Sequence, residues 1–177
     1  MKQSFSILLI ILATLACTNE VENSNHKVEK HPLLGEWEML EVFWTAGDSV
    51  AYAIEKAQPG LFIISENRYA LMWTPTKTPR TPFKELAHPT DEETIAGFRS
   101  VVFNAGTYQL TDTSLVTTAI IAKVPGFEGG KQYYRYNIKN DTLHITMYDE
   151  TYPGGKKPEW YGQSKQTFIM KKVIKNQ

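Results

Sequence analysis

The chain has one cysteine among its 177 residues, so no disulfide can close within it. Its four histidines, His26, His31, His88 and His144, are scattered and make no metal-ligand spacing. No metal and no other cofactor is expected. Neither sign of charge is in excess, with 19 basic and 19 acidic residues. The one locally basic group, Lys171, Lys172 and Lys175, lies at the chain end and reads as solvated. That leaves no electrostatic footprint for nucleic acid. No nucleophile–base pair of usable spacing is present, so no catalytic residue is assigned. Long apolar runs are equally scarce. The longest, Phe5 to Leu12 with Ser6 inside it, is too short to span a bilayer as a helix.

What is there begins at the N-terminus. Lys2, the apolar run and Ala13-Thr14-Leu15-Ala16-Cys17 have the three parts of a signal peptide, residues 1–16. Cys17 directly after Ala16 resembles the lipobox of bacterial lipoproteins, although Thr14 stands where Leu is usual. The resemblance implies acylation of Cys17 and stable attachment to a membrane, since each buried methylene contributes about 0.8 kcal/mol. Thr18 and Asn19 follow, with no Asp directly after the cysteine, which is similar to lipoproteins sorted to an outer membrane. Residues 17–30 are polar and without apolar period, a tether expected to make no stable tertiary contacts. Residues 31–175 are expected to form one domain.

Within that domain, period-2 patterning with β-branched and aromatic residues predicts strands at 34–44, 49–54, 61–65, 68–74, 105–111, 114–122, 132–139, 142–148 and 164–173. Glu66-Asn67, Asp112-Thr113 and Asn140-Asp141 read as tight turns. One helix is predicted over 91–103. Thr90 and Glu93 have capping-box spacing, and Ile95, Phe98 and Val102 share a face expected to turn to the domain as plug or lid. The Pro-rich stretch before it, with Pro75, Pro79, Pro82 and Pro89, excludes helix and inner strand. The fold class is therefore all-β: an up-and-down antiparallel barrel, whose closure removes exposed edges, with one short inserted helix. Strand alternation sends the long links 55–60, 75–104, 123–131 and 149–163 to one end.

Gly35-Glu36-Trp37 opens the first strand. After the helix come Phe103-Asn104-Ala105-Gly106-Thr107-Tyr108, then Gln132-Tyr133-Tyr134-Arg135-Tyr136-Asn137-Ile138, a turn, and Asp141-Thr142-Leu143-His144-Ile145. Over residues 33–173 this order resembles the bacterial lipocalin-like domain family. The resemblance implies a calycin-type barrel and no single activity, since such barrels host carriers, inhibitors and a few cyclases. Where lipocalin-type chains often end the last strand with an Arg stacked on the first-strand Trp, this one has Phe168-Ile169-Met170-Lys171-Lys172. Lys172 is expected to cover Trp37 in its place.

The main chemical resource is aromatic. Phe62, Trp73, Phe98, Tyr108, Tyr134, Tyr136 and Phe168 are the candidate lining of an apolar cavity, with Arg135 or a Tyr hydroxyl to orient a ligand. Arg135 reads first as one half of a structural ion pair and only second as an anion-binding group, and a barrel this small can be packed solid or hold one ligand. Glu36 and Glu38 alternate with Trp37 and Met39, so both are expected on the solvent face. The favoured function is binding of a small apolar or amphipathic ligand by a monomeric, membrane-anchored envelope lipoprotein. A cyclase- or isomerase-type enzyme using barrel Tyr and Arg groups, and a filled-barrel structural or protein-binding lipoprotein, remain open.

Overall fold

The computed structural model describes residues 30–174. Cys17, the signal segment and most of the tether lie outside them. Nine strands follow in order: β1 (Gly35–Ala46), β2 (Ser49–Ile54), β3 (Leu61–Ile64), β4 (Tyr69–Trp73), β5 (Val102–Leu110), β6 (Ser114–Ala122), β7 (Lys131–Lys139), β8 (Thr142–Thr151) and β9 (Ser164–Lys172). Helix α1 (Asp91–Arg99) lies between β4 and β5. Every neighbouring pair is antiparallel, and β1 pairs with β9 to close an eight-stranded barrel.

Nine segments fill eight strand positions because β2 and β3 share one. The end of β1 pairs with β2, as Val42 with Ile54, and its start pairs with β3, as Glu38 with Leu61. Residues 55–60 arch over the middle of β1, held by Met39 N–H to the Gly60 carbonyl at 2.9 Å and Ala57 N–H to the Leu40 carbonyl at 2.8 Å. The expectation that 55–60 joins two barrel strands at the long-loop end is thus corrected. It interrupts a single strand position, and the tight turn at Gly47-Asp48 takes its place at that end. The other expected links keep their places. Turns 65–68, 111–114 and 140–141 gather at the base, where the chain enters β1. The opposite rim collects 74–101, 123–130 and 152–163. Asn140, at φ 54°, supplies the left-handed residue of the β7–β8 turn.

The helix is shorter than its sequence pattern. Its N-terminus has the full capping box: Glu93 N–H donates to Thr90 Oγ1 at 3.2 Å and Thr90 N–H to Glu93 Oε2 at 2.9 Å. It stops at Arg99, because Val102 and Phe103 are taken into β5 opposite Trp73 and Met72. Its expected inward face does not turn inward. Ile95 and Phe98 are exposed, and α1 has no buried residue. The helix instead leans on the Pro-rich segment, where a Cβ at Gly97 would sit 2.7 Å from the Phe83 ring.

One apolar cluster runs through the barrel, from Leu33 at the base to Trp73 and Met147. Trp37, Phe62, Tyr134, Phe168, Leu115, Leu143, Ile145 and Met170 are all buried within it. Glu36 and Glu38 are exposed, as alternation requires. Trp37 is 0 % exposed; its Nε1–H donates to the Leu33 carbonyl at 2.8 Å. Lys172 Nζ lies 5.1 Å from the centre of the indole and donates to the Pro32 carbonyl at 2.8 Å. The entering and leaving ends of the barrel chain are thereby joined at one point. Trp37→Ala should cost about 3–5 kcal/mol. Urea denaturation checks this, and a loss below about 1 kcal/mol would show that the base depends on other contacts.

Candidate functional site

Six of the eight expected site residues share the core cluster, and Phe98 and Arg135 lie outside it. Phe62, Trp73 and Phe168 are buried in the core, Trp73 meeting Phe168 edge-on at 5.4 Å and Phe62 meeting Tyr69 at 6.4 Å. Tyr136 and Tyr108 belong to the base. The Tyr136 hydroxyl donates to the Thr111 carbonyl at 2.6 Å, and that of Tyr108 to the Ser65 carbonyl at 2.6 Å. Burial raises the pKa of both, so each stays a neutral donor. Phe98 is 46 % exposed on α1, with the Lys123 ammonium 4.4 Å above its ring. Arg135 is exposed on the outer face, its guanidinium over the Tyr148 ring at 5.4 Å. Flanked in sequence by tyrosines, it nonetheless has opposite parity to the buried Tyr134 and Tyr136, so it cannot orient anything inside.

A different constellation forms at the rim. A pocket of about 490 Å³ opens there, walled by Val102 and Asn104 of β5, the 122–127 segment, Gln132 of β7, Glu150 of β8, and Tyr152, Pro153 and Lys156 beyond it. Its floor is polar. Tyr134 Oη donates to Gln132 Oε1 at 2.8 Å, Asn104 Nδ2 reaches the same oxygen at 3.3 Å, and Gln132 Nε2 donates to Glu150 Oε2 at 2.7 Å. Tyr134 is the one expected site residue connected to it.

Two irregularities build this floor. The β7–β8 register shifts between Tyr133, opposite Asp149, and Tyr134, opposite Met147. Tyr148 is the extra residue of that bulge. Leu143, Ile145 and Met147 point in, and unbroken alternation would bring Asp149 in next. The bulge instead pairs Glu150 with Gln132 and turns Asp149 outward, where Lys157 Nζ binds its Oδ1 at 2.7 Å. The second bulge lies on β6, at Ile120, opposite the Ala105–Gly106 step. Gly106 and Ala119 are buried there. A Cβ at Gly106 would collide with the Thr118 carbonyl, so only glycine fits.

Burial sets the electrostatics of this floor. It pushes the Tyr69 hydroxyl up to about 12 and that of Tyr134 well above the ordinary phenol. It also raises the Glu150 carboxyl, with the Gln132 hydrogen bond opposing and the Asp149 charge adding. Asn104 Oδ1 is buried without a hydrogen-bond partner among the described residues, while the Thr117 hydroxyl lies beside those of Tyr69 and Tyr134. Such an unmet atom costs about 1–3 kcal/mol unless something meets it. A pocket with a few convergent polar groups at its floor can orient one small molecule. Among the described residues no group of three or more His, Cys, Asp or Glu is placed to hold a metal.

A model of the lipocalin-like domain matches residues 34–170, which span the barrel from the start of β1 into β9. The chain belongs to the lipocalin-like domain family. A comparison with curated proteins finds no match. The rim pocket of this lipocalin-like barrel was half visible in its sequence. Asn104 shares parity with Tyr108, and Gln132 with Tyr134 and Tyr136, so both could have been placed inside. Nothing in the local pattern marks Glu150, because its direction depends on the bulge.

The raised Glu150 pKa has a sign for stability. The folded state holds this proton more tightly than the unfolded chain does. Stability from Glu150 is therefore full below about 4.5, the ordinary value, and falls as pH climbs through the raised one. Glu150→Gln should flatten the fall across that window, seen as a smaller change in denaturation midpoint between acid and neutral pH. Identical pH profiles for both proteins would refute it.

Proposed function

We propose that this lipocalin-like protein binds a small apolar or amphipathic molecule in its rim pocket, and does so from the cell envelope. In this reading a lipid on Cys17 holds it to a membrane, the outer one, and the barrel works as a monomer. The strongest support for binding is the rim pocket itself, with the hydrogen-bonded Asn104, Gln132 and Glu150 side chains along its floor. A volume of about 490 Å³ lies within the range of small-molecule sites, roughly 300–1,000 Å³. This reading puts the ligand at the rim and not among the aromatic residues of the interior, because Phe62, Trp73 and Phe168 are buried in the apolar cluster. The enzyme alternative loses its orienting cation, because Arg135 is outside the barrel.

Binding is tested by thermal denaturation of the full chain against fatty acids, sterols, and small aromatic alcohols, acids and amines. A ligand at a hundred times its Kd should stabilise the fold by about 2.7 kcal/mol. Ala122→Phe, which fills the pocket wall, should abolish that gain and leave the unliganded melting temperature within a few degrees. No stabilisation by any compound, or the same gain in Ala122→Phe, counts against the rim pocket as the site.

Anchoring rests on the lipobox resemblance, and Cys17 carries it alone. Cys17→Ser should remove the acyl mass from the protein and move it from the membrane to the soluble fraction. A serine variant that still sediments with membranes and carries acyl chains would defeat this part of the proposal.

A further inference from the structure

We infer that the outer face of β3, β4, β5 and β6 lies against the bilayer that holds the lipid of Cys17, so that the barrel rests on its side on the membrane. The inference depends on the anchoring proposed above and adds the surface through which the domain itself meets the lipid.

Alternation should give each strand of a water-facing barrel a polar outer side. Much of this barrel obeys. β7 turns Lys131, Arg135, Asn137 and Lys139 outward, and β9 turns out Lys165 and Lys171. Four neighbouring strands do not. Leu61, Met72 and Phe103 stand side by side in one outward row across β3, β4 and β5. Ile63, Ala70, Ala105 and Ile121 make the next row, across β3 to β6. The bulge on β6 sends Ile120 and Ile121 out together, where alternation would have turned one of them in. Leu61, Ile120 and Ile121 are exposed, the two isoleucines by 56 % and 55 %, and the rest of both rows is half-buried. No side chain in the two rows has a charge or a hydrogen-bonding group.

The place of the tether favours a bilayer over another protein. β1 starts beside β3, Gly35 opposite Ile64, and Lys30 Nζ lies 3.8 Å from Glu66 Oε1 in the β3–β4 turn. The chain therefore leaves the barrel at the base end of this same face. Residue 30 is 13 positions after Cys17, so the lipid can be no more than about 45 Å away. At that range the membrane is a constant neighbour, at an effective concentration set by the tether. The backbone suits hydrocarbon too. β4 and β5 are paired on both sides, so their amides and carbonyls need nothing from water. A protein partner would ordinarily add about ten hydrogen bonds, and these rows offer none. Charges begin at the borders and have both signs. Glu36 and Glu38 stand beside Ile63 and Leu61, Lys131 beside Thr118, and Arg68 lies in the base turn. No lipid charge is selected by such a border. The face is small, and its contact is weak without the lipid, in keeping with the release expected of Cys17→Ser.

The test uses the full chain, purified with its lipid and placed in phosphatidylcholine vesicles. With Cys17 acylated, Ile121→Cys has the only free thiol and takes an environment-sensitive fluorophore. His144→Cys, exposed on β8 across the ring and nearer the base, is the second labelled protein. The label at 121 should emit at shorter wavelength and lose intensity when the vesicle lipids carry brominated acyl chains. The label at 144 should do neither. Ile120→Glu, added to Ile121→Cys, should restore the intensity while the melting temperature stays the same. Equal quenching at both positions, quenching at neither, or stronger quenching at 144 overturns the inference. So does quenching at 121 that Ile120→Glu leaves intact. A blue shift that needs no vesicles and grows with protein concentration assigns the face to a second copy and overturns it as well. Protein that carries no acyl mass removes the anchoring and this inference together, whereas acylated protein with an unquenched label removes this inference alone.

Discussion

Nine residue pairs between β1 and β9, from Trp37 with Lys172 to Ala46 with Ser164, convert a twisted sheet into a ring. A closed ring has a fixed interior, which must be filled by side chains, by water or by something else. The lower part of this barrel is filled with large residues. Trp37 under Lys172 seals it, and the same contact binds the segment before β1 to the end of β9. The pocket floored by Asn104, Gln132 and Glu150 lies toward the opposite end.

Toward that end the ladder becomes irregular. Gly106 and Ala119 replace bulk with backbone, and the bulges at Ile120 and Tyr148 each change which residues face inward. Chemistry and shape thus come from the same device. An extra residue in β8 swaps an aspartate that would have met the interior for a glutamate that does, and gives the displaced aspartate an outside partner in Lys157. The longer glutamate side chain then reaches Gln132 at 2.7 Å. A polar group this far into a barrel is tolerated because three residues on β5, β7 and β8 hydrogen-bond in series.

The fold was largely legible in the sequence because alternation is a local signal. Leu143, Ile145 and Met147 against His144 and Thr146 announce a half-buried strand, and Asn140-Asp141 announces its turn. The arch at 55–60 was not legible as an interruption, since two apolar runs separated by a Pro-Gly pair look the same whether the chain turns back or continues forward. The fate of α1 was equally hidden. Ile95 and Phe98 are spaced to bury a face, but the Pro-rich segment through Phe83 offers the helix another support, and its apolar face stays outside. For the site, the aromatic residues were legible as interior and the interior as apolar, yet aromatic content says nothing of where packing is complete. Arg135 failed by parity alone. Glu150 required knowledge of a register shift, which is a property of two strands and not of either sequence.

The arch at 55–60 has one more consequence. Among the described residues β2 hydrogen-bonds to β1 on one side only, so the ring keeps a six-residue flank whose outer amides and carbonyls meet no strand among them. Val50 and Tyr52 stand exposed on it. Such a flank is where intermolecular strand pairing, and with it aggregation, would begin. Its brevity opposes that, and so do Trp44, packed on the Tyr52 ring at 5.3 Å, and the Lys77 ammonium 4.9 Å above it. A lysine of the Pro-rich segment thereby lends its charge to the flank that ring closure leaves at β2.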